Sequence, residues 1–450
     1  MNRYIPTTDD DRRRMLQTIG AASVEELFSG IPSQVRQKTP SDLPGPMSEM
    51  EIINDLRSLA AWNLTMDDAI CFLGAGVYDH FIPSAVDSLI SRGEFTTSYT
   101  PYQPEVAQGT LQAIFQYQTM VCELTGMEIA NASMYDGATA AAEAAVVASV
   151  ATKKRKVLCG DNVHPQTRET LRTYCWSRKL EYVELAHKKG AIDAAELEKS
   201  LAAGDVAALV VQTPNFFGVL EDIKPLADSL HKAGGLLIAC TDLLALGTIE
   251  APGKLGADIV VGDGQTVGNP MNFGGPAFGF FAVNKPLMRR MPGRICGQTT
   301  DSQGRRTFVL TLQAREQHIR REKATSNICS NQNLCIVAAS VYLSLMGPKG
   351  LREAGEQIIA KTAYAVDQLE KTGKFRRAFP DAPVFRETVL ICDEPPATLN
   401  ERLLDAGVVG GLDLGELHPE LKNAWLLAVT ESRTSDEIDY MVSVAGGDEE

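Results

Sequence analysis

The chain has 450 residues, of which 44% are hydrophobic and 22% are charged, and its formal net charge at pH 7 is −14. This length and composition are typical of a globular protein with one large domain and a smaller one, or with two medium ones. The negative charge argues against a nucleic-acid or anionic-membrane partner, because the phosphates of either would be repelled.

No apolar run approaches the roughly 18 residues that a membrane helix needs. The longest, residues 138–152, is rich in Ala and interrupted by Glu143, and the acidic N-terminus does not resemble a targeting segment. The nine Cys contain no CxxC pair, and the six His show no metal-ligand spacing. We therefore expect a cytoplasmic protein with reduced thiols and no metal site.

Residues 1–60 predict an N-terminal arm with short helices. Thr8 or Asp9 begins the first helix, which ends at Gly20. Ser23 begins a second short helix, with Glu26 three residues later as in a capping box. The stretch that follows contains three prolines and is expected to be extended. We expect this arm to wrap over the main body or over a partner.

A large α/β domain is predicted from residue 61 to residue 345. A helix over 105–125 ends at Gly126, and short apolar runs then alternate with helical stretches. Continuous apolar runs are typical of strands buried on both faces, and strand–helix–strand succession predicts a mostly parallel sheet. The predicted strands lie at 157–160, 207–212, 236–240, 257–261 and 277–283. Residues 315–346 are predicted to be helical.

A smaller C-terminal α/β domain is predicted over residues 346–450. A long helix from about 348 to 372 links it to the large domain. Thr434 and Glu437 have the spacing of a capping box, which predicts the start of the last helix. The elements between them are a strand within 382–393, a helix over 397–407 and a strand within 423–431.

Three polar positions stand at the ends of predicted elements. Asp136 and Thr139 open an Ala-rich helix, where free N–H groups and the helix dipole favour a phosphate, although a plain helix cap explains them equally well. His164 follows a strand, at the edge where open α/β sheets bind ligands. Its imidazole could stack on a flat ring there, or it could bond only to local backbone. Asp242 follows a buried strand and requires a partner such as a protonated ring nitrogen, or else caps the next turn. This order matches a pyridoxal-phosphate enzyme of the aminotransferase type.

The stretch GDGQTVG, residues 262–268, stands where such an enzyme carries its Schiff-base lysine. It contains Gln265, which has no basic amine and forms no imine. The nearest lysines, Lys254 and Lys285, lie before one strand and after the next. The glycine spacing is one residue off a dinucleotide fingerprint, but Pro270 and a strand follow instead of the required helix, so we reject that alternative.

Two further stretches are dense in polar residues. Residues 94–105 predict a proline-punctuated loop, with Tyr99 and Tyr102 suited to reaching across an interface. Residues 311–332 are basic, and two interpretations stay open for them. One is a solvated helix face with pairs such as Glu316 and Arg320; the other is a polar turn that lines a site.

Several long stretches resemble the P-protein of the glycine cleavage system, and more narrowly its separate first subunit of many prokaryotes. They are residues 72–80 (FLGAGVYDH), 99–140, 262–282, 291–332 and 411–415 (GLDLG). The resemblance covers nearly the whole chain. It implies an aminotransferase-like (fold type I) large domain with a mostly parallel sheet. It also implies pyridoxal-phosphate-dependent glycine dehydrogenase (decarboxylating) activity, which releases CO2 and passes the aminomethyl group to the lipoyl arm of the H-protein.

The resemblance further implies that the cofactor lysine belongs to subunit 2, within an α2β2 heterotetramer. We then expect no cofactor covalently bound to this chain and no catalytic residue certain within it. The degenerate cofactor pocket would comprise Asp136, Thr139, His164, Asp242 and Gln265. The candidates for completing the active site at the subunit interface are Tyr99, Thr100, Tyr102, Gln103, His80, Arg320, Lys323, Asn327 and Cys329.

Two other functions stay open from the sequence. The chain could act alone as a pyridoxal-phosphate enzyme through another lysine, with Lys254, Lys285 and Lys323 as candidates. It could also be a non-catalytic scaffold that docks the H-protein.

Overall fold

The computed structural model describes residues 5–36, 43–97, 99–328 and 332–447. The chain divides into two compact units, Met1–Leu64 and Thr65–Glu450. In the first unit, helix α1 spans Asp9–Ile19 and helix α2 spans Glu49–Ala60, whereas the helix predicted after Ser23 is a single 3-10 turn, Glu25–Phe28. Thr8 caps α1 and Gly20 ends it in the left-handed conformation, which confirms the predicted boundaries.

The second unit contains eleven helices among the described residues. Those of its first half are α3 Ser84–Ile90, α4 Gly93–Thr96, α5 Gln108–Thr125, α6 Gly137–Thr152, α7 Pro165–Ser177, α8 Ala194–Leu201 and α9 Ile223–Lys232. Those of its second half are α10 Gln317–Arg320, α11 Asn333–Lys371, α12 Pro396–Asp405 and α13 Ser435–Gly446.

The strands of the second unit belong to one large sheet, one smaller sheet and three strand pairs. The first ten are β1 Ile70–Cys71, β2 Ile129–Ala130, β3 Lys156–Gly160, β4 Glu181–Leu185, β5 His187–Lys188, β6 Ala191–Ile192, β7 Val206–Thr213, β8 Leu236–Thr241, β9 Ile259–Asp263 and β10 Gly279–Val283. The others are β11 Ile295–Thr300, β12 Arg306–Thr311, β13 Phe375–Arg377, β14 Glu387–Cys392, β15 Val408–Val409, β16 Leu412–Asp413 and β17 Ala424–Ala428.

The large sheet has the order β2-β10-β9-β8-β7-β3-β4. Strands β4, β3, β7, β8 and β9 are mutually parallel, and β10 runs antiparallel to both of its neighbours, β9 and β2. Successive β7 residues face opposite cores: Leu209 and Val211 contact one cluster, Ala208 and Val210 the other. The continuous apolar runs therefore mark strands covered on both faces, as predicted. Helices α6 and α7 cover one face, and α5, α8 and α9 cover the other.

Helix α11 runs from the large sheet to the smaller sheet. Its first half packs in the same cluster as α5, and its second half packs against β13, β14, β17 and α13. The predicted break between two helices lies at Gly347, whose φ of 58° interrupts the helix before Pro348. By length and composition alone α11 is apolar enough to cross a membrane, and its many buried residues account for that composition.

The prediction of continuous helix over 315–346 is wrong for its first half. Only α10 and two single 3-10 turns lie between Gln313 and Lys323, and α11 begins at Asn333. The backbone of Arg321 has a φ of 55°, a left-handed value that ends α10 after one turn. The smaller sheet, β13-β14-β17-β16, is antiparallel throughout and contains both strands predicted for the C-terminal domain.

Gly262 in β9 lets the strand pass close to its neighbours. A Cβ added there would lie 2.0 Å from the Thr241 carbonyl oxygen and 2.7 Å from the Phe280 ring. We predict that Gly262→Ala lowers the free energy of unfolding by about 1–3 kcal/mol through overpacking. The control is Gly109→Ala, near the start of α5, where an added Cβ has no neighbour within 4 Å. Urea denaturation of both variants measures the difference, and equal stabilities would contradict the prediction.

Candidate functional site

A cavity of about 470 Å³ lies at the carboxyl ends of β7, β8 and β9. Open α/β sheets bind ligands at this edge. The cavity is bounded by the loop 75–78, the first turn of α6 and the start of β14. Of the residues predicted for the degenerate pocket, Asp136, His164, Asp242 and Gln265 line it. Thr139 lies just beyond them in α6, and its N–H donates to Asp136 Oδ1 at 2.7 Å.

Asp242 is held in a buried ion pair. Its Oδ2 lies 2.7 Å from Arg386 Nη2, and its Oδ1 accepts hydrogen bonds from Leu244 N at 2.7 Å and Thr266 Oγ1 at 3.0 Å. Burial opposes ionisation of this carboxyl, but the Arg386 guanidinium keeps its pKa below the ordinary value. The partner that Asp242 requires is thus a side chain of this same chain.

Arg386 connects β14 to the loop after β1. Its guanidinium carbon lies 3.3 Å from the centroid of the Tyr78 ring, a cation–π contact in a buried setting. Its Nη1 donates to His80 Nε2 at 3.1 Å, so the other ring nitrogen of His80 carries the proton that faces Glu431 Oε2 at 2.6 Å. Glu387 follows Arg386 in the chain, and its carboxylate accepts a hydrogen bond from the Tyr78 hydroxyl at 2.8 Å.

Two carboxylates occupy the N-terminus of α6. Asp136 Oδ1 accepts from Thr139 N, and Asp263 Oδ2 accepts from Gly137 N at 3.2 Å. Asp263 Oδ1 also accepts from Gln265 N at 2.9 Å. Burial raises the pKa of Asp263 to about 6, against the lowering effect of these backbone hydrogen bonds. The N–H groups expected to hold a phosphate therefore bind the chain's own acidic side chains, and the helix-cap interpretation of Asp136 is confirmed.

Gln265 is buried, and its amide is fully engaged. Its Oε1 accepts from Tyr78 N at 3.0 Å, and its Nε2 donates to Tyr78 O at 3.0 Å and to Asn269 O at 2.9 Å. The side chain therefore joins the turn after β9 to the loop after β1. A lysine at this position would have neither the acceptor nor the planar geometry to satisfy both backbone groups of Tyr78.

His164 follows β3 as predicted, and its ring bonds to backbone. Its Nε2 lies 2.8 Å from Ala75 O, and its ring packs edge-on against Phe216. Burial lowers the pKa of the imidazole, so the neutral form predominates at pH 7. Gly76 has a φ of 105°, and a Cβ there would lie 2.9 Å from His164 Nε2, so the loop requires glycine at this point.

The structure brings the two polar stretches of the sequence together outside the cavity. Arg294 Nη2 donates to the Tyr102 hydroxyl at 2.6 Å, and the Tyr102 ring packs edge-on against His318. Glu316 is buried beside them, with Oε2 3.7 Å from Arg294 Nε and 3.6 Å from His318 Nδ1. The predicted i,i+4 pair of Glu316 with Arg320 is not formed, because the Glu316 carboxylate is turned inward to Arg294.

The remaining candidates differ in accessibility. His80 is buried in the Arg386 network, whereas Thr100 is half-buried. Cys329 lies outside the described residues. The exposed candidates are Tyr99, Tyr102, Gln103, Arg320, Lys323 and Asn327. These six side chains therefore lie at the surface, whereas the ring of His80 contacts Arg386 and Glu431 of the same chain.

Sequence reasoning missed four residues that shape these sites: Tyr78, Arg294, Arg386 and Glu387. Arg386 lies 144 positions from Asp242 in the chain, so no local spacing connects them. One signal was available, the charged pair Arg386 and Glu387 directly before the apolar run of β14. Charged residues next to a buried strand need partners, so the pair indicates contacts with other charged or polar side chains.

The comparisons with known proteins agree with this geometry. The family model described as glycine cleavage system P-protein matches residues 2–445. The chain belongs to this family. A relative from Anoxybacillus flavithermus, named probable glycine dehydrogenase (decarboxylating) subunit 1, is 51% identical over 99% of both chains.

Solved structures confirm the predicted aminotransferase-like fold of this P-protein family member. The crystal structure of a glycine decarboxylase (P-protein), in inhibitor-bound form, has a TM-score of 0.90 at 42% identity, covering 99% of this chain and 100% of that one. An alanine–glyoxylate aminotransferase from Nostoc sp. has a TM-score of 0.60 at 16% identity, covering 92% and 98%, and shows the fold alone. The match to the glycine decarboxylase and the relative named above also support the expected enzyme class.

The cavity of this P-protein chain does not fit pyridoxal phosphate. Gln265 supplies no amine, Arg386 already pairs with the carboxylate expected to face the ring nitrogen, and Asp263 holds the first N–H of α6. Space is not the obstacle, since the cavity measures about 470 Å³. Four carboxyl groups line it against a single guanidinium, so a phosphate would be repelled. They belong to Asp136, Asp242, Asp263 and Glu387.

We predict that removing one partner of the Asp242–Arg386 ion pair strongly destabilises the fold. Either Asp242→Asn or Arg386→Met leaves one buried charge unpaired, which costs about 3–5 kcal/mol. The double variant should lose less than the sum of the two, because it leaves no lone charge. Guanidinium denaturation of the wild type, the two single variants and the double variant gives the four free energies of a double-mutant cycle. Additive losses, or single losses below about 1 kcal/mol, would show that the pair is not a unit.

Proposed function

We propose that this chain is subunit 1 of a two-subunit glycine dehydrogenase (decarboxylating), in which subunit 2 carries the cofactor lysine. The observation that carries the proposal is Gln265: it stands at the lysine position, and its amide is bonded to the backbone of Tyr78. Together with the carboxylates of the cavity, this favours a cofactor bound on the other chain. Pyridoxal phosphate, when bound there, supplies the electron sink for loss of CO2 from glycine.

The proposed contribution of this chain is to complete the active site across the subunit interface. Tyr99, Tyr102 and Gln103 lie on an exposed loop, and Arg294 holds the Tyr102 hydroxyl at 2.6 Å. Binding energy is used best when such contacts are held rigidly before substrate arrives. The complex would be a cytoplasmic α2β2 heterotetramer that passes the aminomethyl group to the lipoyl arm of the H-protein.

Co-expression with the cognate subunit 2 tests this function. The purified chain alone should lack the visible absorbance of an internal aldimine and should not decarboxylate glycine. The complex should show both, and labelled CO2 released from carboxyl-labelled glycine in the presence of lipoylated H-protein measures the activity. A yellow and active lone chain would refute the proposal, and so would a complex that stays inactive with H-protein.

A self-sufficient enzyme using another lysine is disfavoured by the positions of the alternatives. Lys254, Lys285 and Lys323 do not line the cavity. Lys254 is exposed and pairs with Glu250 at 3.0 Å. Borohydride reduction of the complex followed by peptide mapping should label only subunit 2, and a labelled lysine of this chain would favour the alternative.

We predict that Gln265→Lys does not by itself create a cofactor site. The ring-nitrogen partner is already paired with Arg386, and Asp263 repels a phosphate from α6. The variant titrated with pyridoxal phosphate should show no saturable absorbance band that survives gel filtration. Adding Asp263→Ser, which exposes the N–H of Gly137, should increase cofactor retention over the single variant. A stable aldimine in the single variant would contradict this explanation.

A further inference from the structure

The charge of the chain is distributed very unevenly. Residues 285–323 contain ten Lys and Arg against three Asp and Glu, a net charge of +7 in a chain whose total is −14. The rest of the chain therefore carries −21. A strong local asymmetry of this kind creates an electrostatic field that attracts molecules of the opposite sign.

Two parts of this segment are joined in space. The Arg315 side chain donates to the carbonyl of Met291 and, at 2.9 Å, to the carbonyl of Gly293. This contact ties the residues just before Met291 to those around α10. We call the exposed cations on either side of it the basic surface: Arg289, Arg290, Arg320, Arg321 and Lys323.

In the part of the chain that the structure describes, the cations of the basic surface are unpaired, although Glu322 lies between Arg321 and Lys323 in the chain. None of its five side chains forms an ion pair with a carboxylate among the described residues, although many other exposed arginines of the chain do. Arg305, for example, pairs with Asp301 at 2.7 Å, and Arg172 pairs with Glu184 at 2.7 Å. Like charges repel one another, so a group of unpaired cations does not by itself stabilise the local fold.

The position of the basic surface relates it to the proposed reaction. Arg315 bonds to the carbonyl of Gly293, and the next residue, Arg294, donates to the Tyr102 hydroxyl at 2.6 Å and lies 3.7 Å from the Glu316 carboxylate. A carrier protein whose reactive group is on a flexible arm has to dock beside the site that the arm enters. The basic surface therefore borders the loop that we propose completes the active site.

The composition of the basic surface favours a transient partner over the permanent subunit. The fully buried core of a permanent interface is apolar and depleted in charge, whereas exposed charges of one sign accelerate the encounter of proteins that bind and release. A carrier visits the enzyme once per turnover and has to leave again.

Resting on the function proposed above, we infer that the basic surface is the docking site of the lipoyl-bearing carrier protein, which meets it with an acidic face. Docking is mainly electrostatic and is weakened by salt, because exposed charge pairs are screened within about 8–10 Å at physiological ionic strength. The arm of the docked carrier then reaches the interface next to Tyr102.

The test compares two charge reversals in the co-expressed complex with subunit 2. Arg289→Glu/Arg290→Glu alters the basic surface without touching the proposed active-site residues. The control, Lys199→Glu/Lys232→Glu, makes the same change of charge at exposed positions of α8 and α9. We expect the first variant to raise the KM for lipoylated H-protein about tenfold or more at low salt, with kcat nearly unchanged. The control should match wild type, and the difference should vanish at high salt.

Direct binding of H-protein to each complex separates this inference from the proposed function. Weaker binding to the Arg289→Glu/Arg290→Glu complex than to the control complex supports the docking site, whether or not the complexes release CO2. Failure of every complex to release CO2 would instead overturn the proposed function. Equal affinities and equal salt dependence in both variants would overturn the docking site. Loss of subunit 2 from the first variant in gel filtration would also overturn it, by assigning the basic surface to the subunit interface.

Discussion

The ion pair between Arg386 and Asp242 is the contact on which the organisation of the cavity depends. A carboxylate at the end of the buried strand β8 is stable only with a positive partner, and β14 provides it at 2.7 Å. The same guanidinium lies on the Tyr78 ring and donates to His80. One buried cation thereby joins the large sheet, the loop after β1 and the smaller sheet, which are distant in the chain.

Two other polar groups at the cavity are also satisfied from within the chain. The N-terminus of α6 attracts negative charge whatever its source, and Asp263 satisfies it from within the chain. Gln265 uses its amide to hold the loop at Tyr78. At each of these points a group of the chain is satisfied by another side chain or by backbone of the same chain. The proposed function places the reactive contribution of the chain elsewhere, on the exposed loop held by Arg294.

The sequence predicted the fold well because its signals are local. Continuous apolar runs identified five strands of the large sheet, and glycines such as Gly126 marked helix ends. The helix predicted over 315–346 failed in its first half, where Arg321 has a left-handed backbone, Glu316 turns inward to Arg294 and Arg315 bonds to the carbonyl of Gly293. Helical periodicity does not register such contacts.

By itself the sequence determined the family, the parallel α/β architecture and the absence of an amine at position 265, since each of these is written in residue type and order. Only the tertiary structure decided which side chains pair around the cavity and which exposed charges belong to one surface. The partners of Asp242 and of Tyr102, Arg386 and Arg294, lie 144 and 192 positions away along the chain. Electrostatic and hydrogen-bond energies depend on distance in space, and no pattern along the chain specifies it.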